Sequence, residues 1–157
     1  MTIKRRDFFI GAASAALAAV CAAPATAEPA IRVLVHRDAT CGCCGRWAAK
    51  LKDAGFAVEV VDEPDMKAVK ARLGVPAGLT SCHTAEIEGY VVEGHTPVAA
   101  IQRLLQEKPK AAGLATPGMP SGSPGMEMGG EAEPYEVYLF GPQGQSSYGG
   151  FKGGSAI

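Results

Sequence analysis

Three cysteines within four residues, Cys41-Gly42-Cys43-Cys44, are the plainest chemical signal in the chain. Thiolates are soft ligands that select ions such as Cu(I), and they are also the nucleophiles of disulfide exchange. Cys41 and Cys44 alone form a C-x-x-C pair, which suits exchange. Cys43 disturbs that reading, because a dithiol enzyme has no use for a third thiol inside its motif, where it invites wrong pairings. Three thiolates this close suit a thiophilic ion. Neighbouring cysteines at a helix start point in different directions, so Cys43 and Cys44 are not expected to share one tetrahedral ion. A structural zinc site therefore fits less well than a copper–thiolate site, multinuclear if sulfurs bridge ions. A redox thiol and a purely structural disulfide remain the other two readings.

Further donors lie downstream. Cys82-His83 sets a thiol beside an imidazole on a predicted strand, where alternation sends the two to opposite faces unless the strand is bulged or frayed. His95 follows Gly94 just before a predicted helix, where its side chain can reach over the end of the sheet, although a lone histidine there is ordinarily solvated. His36 ends the first predicted strand close to the cysteines. Met119, Met126 and Met128 stand in a stretch with no core to fill; thioethers bind Cu(I) and form no disulfides, so they suit a lid over the site.

The elements that must position these groups follow from periodicity. Residues 31–35 read as a buried strand, 44–54 as a helix with Trp47 and Leu51 one turn apart, and 56–61 as a second strand. Pro64 opens a second helix through Met66, Val69 and Leu73, stopped by Gly74. Two apolar runs, 80–87 and 90–92, flank the Glu88-Gly89 turn as a hairpin, and Thr96 caps a third helix carrying Val98, Ile101, Leu104 and Leu105. The order β-α-β-α-β-β-α predicts an α/β fold, a thioredoxin-like mixed sheet with helices on both faces, over residues 32–107. Residues 109–134, rich in Gly, Pro, Ser and Met, read as a loop or mobile arm, and 135–151 as a terminal hairpin.

At 157 residues with 47% hydrophobic content, the chain suits one domain, residues 28–157, behind an export signal, residues 1–27. Lys4-Arg5-Arg6 forms a basic start, Phe8 to Val20 an apolar run too short to span a bilayer, and Ala25-Thr26-Ala27 an A-x-A cleavage site. Arg5-Arg6-Asp7-Phe8-Phe9-Ile10 is similar to twin-arginine signals, with Lys4 departing from the usual Ser or Thr. Cys21 follows the bulky Val20, which disfavours lipidation, so the expectation is a periplasmic protein with no stable membrane anchor. A net charge of −1 without a basic run excludes a nucleic-acid binder.

Cys41-Gly42-Cys43-Cys44 with Trp47, Ser81-Cys82-His83-Thr84-Ala85, residues 89–97, and Gly118-Met119-Pro120 before Gly125-Met126-Glu127-Met128 together resemble a bacterial periplasmic metal-binding family of formerly unknown function that includes the copper-resistance protein CopG. The resemblance covers residues 31–153 and implies a thioredoxin-like fold, copper at the cysteine motif and a role in surviving copper excess. It implies ligand roles for Cys41, Cys43, Cys44 and Cys82, and extends them to His83, His95, Met119, Met126 and Met128. The expected function is copper resistance or homeostasis, with Cu(I) held at the cysteine cluster and Cu(I)/Cu(II) interconversion as a variant. Copper ions and periplasmic efflux or carrier proteins are the expected partners. The alternative is a thiol–disulfide oxidoreductase using Cys41 and Cys44, with Pro76 near the site.

Overall fold

A computed structural model describes residues 29–157, so the predicted export signal lies outside the described residues. Three helices and eight strands form in the order β1 (Arg32–Arg37), α1 (Gly42–Asp53), β2 (Ala57–Asp62), α2 (Met66–Arg72), β3 (His83–Ile87), β4 (Tyr90–Glu93), α3 (Val98–Glu107), β5 (Gly113–Ala115), β6 (Pro134–Gly141), β7 (Gly144–Lys152) and β8 (Ser155–Ala156). A single 3-10 turn, Ala77–Leu79, follows Pro76. Through α3 this is the expected β-α-β-α-β-β-α order.

Local chemistry explains the boundaries. Lys50 and Lys52 lie in the last turn of α1, where cations suit the exposed carbonyls, and Gly55 beyond it takes a φ of +91°. The α2 helix begins two residues after Pro64 because the Asp65 carboxylate accepts the Ala68 N–H at 3.0 Å. Thr96, expected to cap α3, does not: Pro97 occupies the cap position, and the Thr96 hydroxyl donates to the Glu93 carbonyl at 3.1 Å and meets the Thr116 hydroxyl at 3.0 Å. A buried interior partner has won over the local cap.

All eight strands form one mixed sheet, ordered β2-β1-β3-β4-β5-β6-β7-β8. The β1–β2 and β4–β5 pairs are parallel and the others antiparallel. Trp47 and Leu51 of α1 and Ile101 of α3 pack with Val33, Val35, Ala85, Ile87 and Val92 on one face. Val91, the neighbour of Val92, packs with Val75, Leu79 and Phe140, beside Leu73 at the end of α2, on the other face. Helices therefore cover both faces, as expected. What the sequence reading did not contain is β5, which lies inside the predicted arm. It pairs parallel to β4 and antiparallel to β6, and so turns the terminal hairpin into an extension of the main sheet.

Leu114 of β5, wholly buried, is the centre of that junction and packs with Leu104, Tyr135, Val137, Tyr148 and Phe151. Leu114→Ala is expected to cost about 2–5 kcal/mol in urea denaturation, by lost burial and the cavity left behind. Amide exchange should accelerate through residues 134–152 ahead of α1, because the hairpin reaches the rest of the sheet through this strand.

Candidate metal centre

The N-terminus of α1 supplies the first sulfurs. Cys41 stands at the cap position without a side-chain cap bond, Cys43 and Cys44 lie in the first turn, and Cys44 is fully buried. Cys82 sits one residue before β3, outside the ladder. Strand alternation therefore does not bind it, and the expected divergence of Cys82 and His83 does not occur: the Cys82 sulfur is 3.2 Å from His83 Nδ1. It is also 3.1 Å from His95 Nε2, 3.6 Å from the Cys44 sulfur and 3.8 Å from that of Cys43, which in turn lies 3.4 Å from Cys41.

Two donor groups result, Cys41, Cys43, Cys44 and Cys82 in one and Cys82, His83 and His95 in the other, each with its ligand atoms within 4.8 Å of one another. A tetrahedral ion with metal–sulfur bonds of about 2.3 Å holds its sulfurs about 3.8 Å apart, close to the 3.4, 3.8 and 3.6 Å of the Cys41–Cys43, Cys43–Cys82 and Cys44–Cys82 pairs. The expectation that Cys43 and Cys44 diverge too far to serve one ion is thus corrected, because Cys82 closes the group between them. Cys41 and Cys44 are joined as a disulfide, while Cys43 and Cys82 are free thiols. The full four-thiolate set exists once that bond is reduced.

The two histidines are prepared differently. The Nδ1 of His95 lies 2.8 Å from the Pro124 carbonyl, which can only accept, so Nδ1 carries the proton and Nε2 presents its lone pair toward Cys82. This is the usual way a metal-binding imidazole is oriented. His83 packs against the Trp47 ring with centroids 4.4 Å apart, and its Nε2 is buried without a hydrogen-bond partner. The ring nitrogen beside the Cys82 thiol is the other one, Nδ1, so Nδ1 is the His83 atom that faces this donor group. Neither histidine is solvated; both are fully buried.

Burial disfavours the charged forms of Cys82, His83 and His95. Burial pushes the Cys82 thiol up to about 12, and the neighbouring Cys43 adds to the effect. Burial holds His83 well below the ordinary imidazole value, helped by His95 and the Lys70 ammonium. Burial lowers His95 too, partly offset by its bond to Pro124.

The predicted arm is a packed cover. Arg46 of α1 donates to the Gly125 carbonyl at 2.9 Å, and Lys50 pairs with Glu127 at 2.9 Å. Gly125, with a φ of +87°, lies so close to α1 that a Cβ there would come within 2.8 Å of the Trp47 nitrogen and 3.0 Å of the Cys43 carbonyl. Met126 is half-buried within this cover. Met119 and Met128 are 55% and 73% exposed, and the Met128 sulfur meets Arg46 at 3.4 Å. His36 belongs to neither donor group; Glu63 and Glu86 engage its two ring nitrogens at 2.7 and 3.0 Å. Sequence reasoning missed Pro124, whose carbonyl carries no side-chain signal, and Glu93, whose charge inside an apolar strand could have been noticed.

The protein-family model described as "Protein of unknown function, DUF411" matches residues 79–126. Two solved chains, titled "Copper resistance protein copG- Form 2" and "Copper resistance protein copG- Form 1", share 46% and 47% identity with this chain, with TM-scores of 0.75 and 0.74. Each match covers 78% of this chain, and 99% and 98% of the respective solved chain. No curated protein sequence matches.

Two outcomes follow from this geometry. Gly125→Ala should destabilise the fold by about 1–3 kcal/mol, since it combines a left-handed backbone with a backbone clash, and should open the cover to limited proteolysis between residues 117 and 133. Metal-free protein with the Cys41–Cys44 bond in place should lose stability as pH falls through about 6.5, because His83 and His95 have lowered folded values and the unfolded chain binds protons first. It should lose stability again as pH rises above 9, where the unfolded Cys82 ionises and the folded one does not. Thermal midpoints against pH read both limbs.

Proposed function

The chain belongs to the DUF411 family, and from that membership we propose that it is an exported copper-binding protein of copper resistance, holding Cu(I) at Cys41, Cys43, Cys44 and Cys82. The observation that carries this reading is the convergence of four sulfurs, those of Cys41, Cys43, Cys44 and Cys82, two of them joined as a disulfide. Thiolates are the soft donors Cu(I) prefers, and the solved relatives bear a copper-resistance title. Copper is the cargo; periplasmic efflux or carrier proteins are the partners that would take it. The predicted signal in residues 1–27 supports a periplasmic location. Among the described residues no helix is long and apolar enough to cross a membrane.

The nitrogen-bearing group of Cys82, His83 and His95 favours one addition to this reading. Imidazoles suit Cu(II) as thiolates suit Cu(I), so the sulfur shared by the two groups is a place where Cu(I) would become Cu(II) by passing one electron to an external one-electron acceptor. The exposed thioethers of Met119 and Met128, with Met126 in the cover, are proposed as outer Cu(I) contacts. The Cys41–Cys44 bond is the observation that favours a thiol–disulfide oxidoreductase. Against it, the free thiols Cys43 and Cys82 flank that bond and would compete in every exchange.

Anaerobic titration of reduced residues 28–157 with Cu(I) against a chromogenic competitor tests the proposal. Retention of one or more copper ions per chain after desalting is expected, with loss in Cys41→Ser, Cys44→Ser and Cys82→Ser. Trp47, the single tryptophan, packs against His83, so its emission should be quenched in step with loading. A reduced wild-type chain that retains no copper, with disulfide exchange surviving Cys43→Ser, would overturn the proposal in favour of the oxidoreductase.

A further inference from the structure

Glu93 ends β4 as a carboxylate with no solvent exposure, following the buried Val91 and Val92. Such a charge persists in an interior only when it is paired and its oxygens are satisfied. Here Oε1 accepts from Lys70 Nζ at 2.5 Å and from the Ser81 backbone N–H at 2.6 Å, and Oε2 accepts the Thr84 hydroxyl at 2.6 Å. Lys70 also donates to the Thr84 oxygen at 3.0 Å. Ser81 and Thr84 bracket Cys82 and His83, so one carboxylate grips the chain on both sides of two donors.

The Glu93 backbone serves the third. Its carbonyl accepts from the Thr96 hydroxyl and, at 2.9 Å, from the Thr116 N–H. The next residue, Gly94, donates its N–H to the His83 carbonyl at 3.0 Å and turns the chain into His95. The turn needs glycine: φ is +72°, and a Cβ would fall 2.4 Å from the Thr116 carbonyl and 2.6 Å from the Ser81 side chain. Charge enters as well as position. The Lys70 ammonium is held against the Thr84 hydroxyl, the residue next to His83, where it would oppose a cation bound at the histidine were Glu93 not paired with it.

We infer that Glu93 is a positioning residue of the metal centre, fixing Cys82, His83 and His95 in one arrangement and cancelling the Lys70 charge that would otherwise oppose the bound ion. This rests on the copper reading above. Removing a group that orients metal ligands typically costs about 10–100-fold in metal affinity. A buried ion pair kept only for packing behaves otherwise, since such pairs can be replaced without loss of the fold.

The test measures Cu(I) affinity by competition in the reduced chain, with the metal-free thermal midpoint and the near-ultraviolet copper–thiolate band recorded alongside. Glu93→Gln keeps the shape but leaves Lys70 unpaired, and is expected to weaken copper binding about 10–100-fold and shift the band. The double variant Lys70→Met with Glu93→Gln removes both charges while an amide oxygen still faces the Ser81 N–H; it should recover most of the affinity. Equal affinity in the wild type and Glu93→Gln, or a loss that the double variant does not recover, overturns the inference and leaves the copper reading standing. A wild-type chain that retains no copper overturns both. Should Glu93→Gln not fold, Thr84→Val decides, since it deletes the hydroxyl held between Glu93 and Lys70 with both charges still paired: a tenfold or greater loss at wild-type stability supports the inference, and unchanged affinity overturns it.

Discussion

The Cys82 sulfur lies within 3.1 to 3.8 Å of four other donors, and the rest of the structure is arranged so that this can happen. Those donors come from the start of α1, the start of β3 and the turn before α3, segments far apart in the chain that the β1–β3 and β3–β4 pairings bring to one end of the sheet. The decisive detail is that β3 begins at His83. A residue inside the ladder must point opposite its neighbour; Cys82, one position outside it, is free to turn toward α1 while His83 stays anchored. Holding Cys82, His83 and His95 in a dry place favours their uncharged forms, with the thiol pushed up and both imidazoles pushed down by the same burial.

The cover belongs to this constraint. A glycine- and proline-rich stretch has little to gain from ordering itself, so its order must come from the surface it meets. Here that surface is α1, through Arg46 and Lys50, together with the imidazole of His95, whose proton the Pro124 carbonyl fixes. The same contact that seats the cover chooses the tautomer that faces Cys82. Glycine at position 125 is required because the cover lies against the α1 backbone itself.

Much of this was legible in the residues. Apolar periodicity located the order of elements through α3, and the cysteine spacing located the thiolate group, because both signals are local. The failures share a cause. Gly113-Leu114-Ala115 is too short to show alternation, and it becomes a strand only because β4 and β6 are there to pair with it. Thr96 carries every sign of a helix cap, yet its hydroxyl finds Glu93 and Thr116 in the interior. Cys43 and Cys44 look divergent in isolation, and what makes them partners is a cysteine 38 positions beyond Cys44. In each case a tertiary neighbour supplied what the local pattern lacked.

The oxidation state of the cysteines bears on the whole site. A sulfur engaged in a disulfide has no thiolate charge to offer an ion, so the Cys41–Cys44 bond and metal occupancy exclude each other at those two sulfurs. Cys82, His83 and His95 lie outside that competition: their mutual distances do not involve the bonded pair, and their anchoring runs through Glu93, Gly94 and Pro124. The thioethers of Met119, Met126 and Met128 cannot form disulfides at all. The donors therefore differ in their capacity for disulfide formation: the α1 pair forms such a bond, whereas the imidazoles and thioethers cannot. A soft ion held at Cys41 and Cys44 would itself keep those sulfurs reduced, so in an oxidising compartment occupancy and integrity of the thiolate group sustain each other.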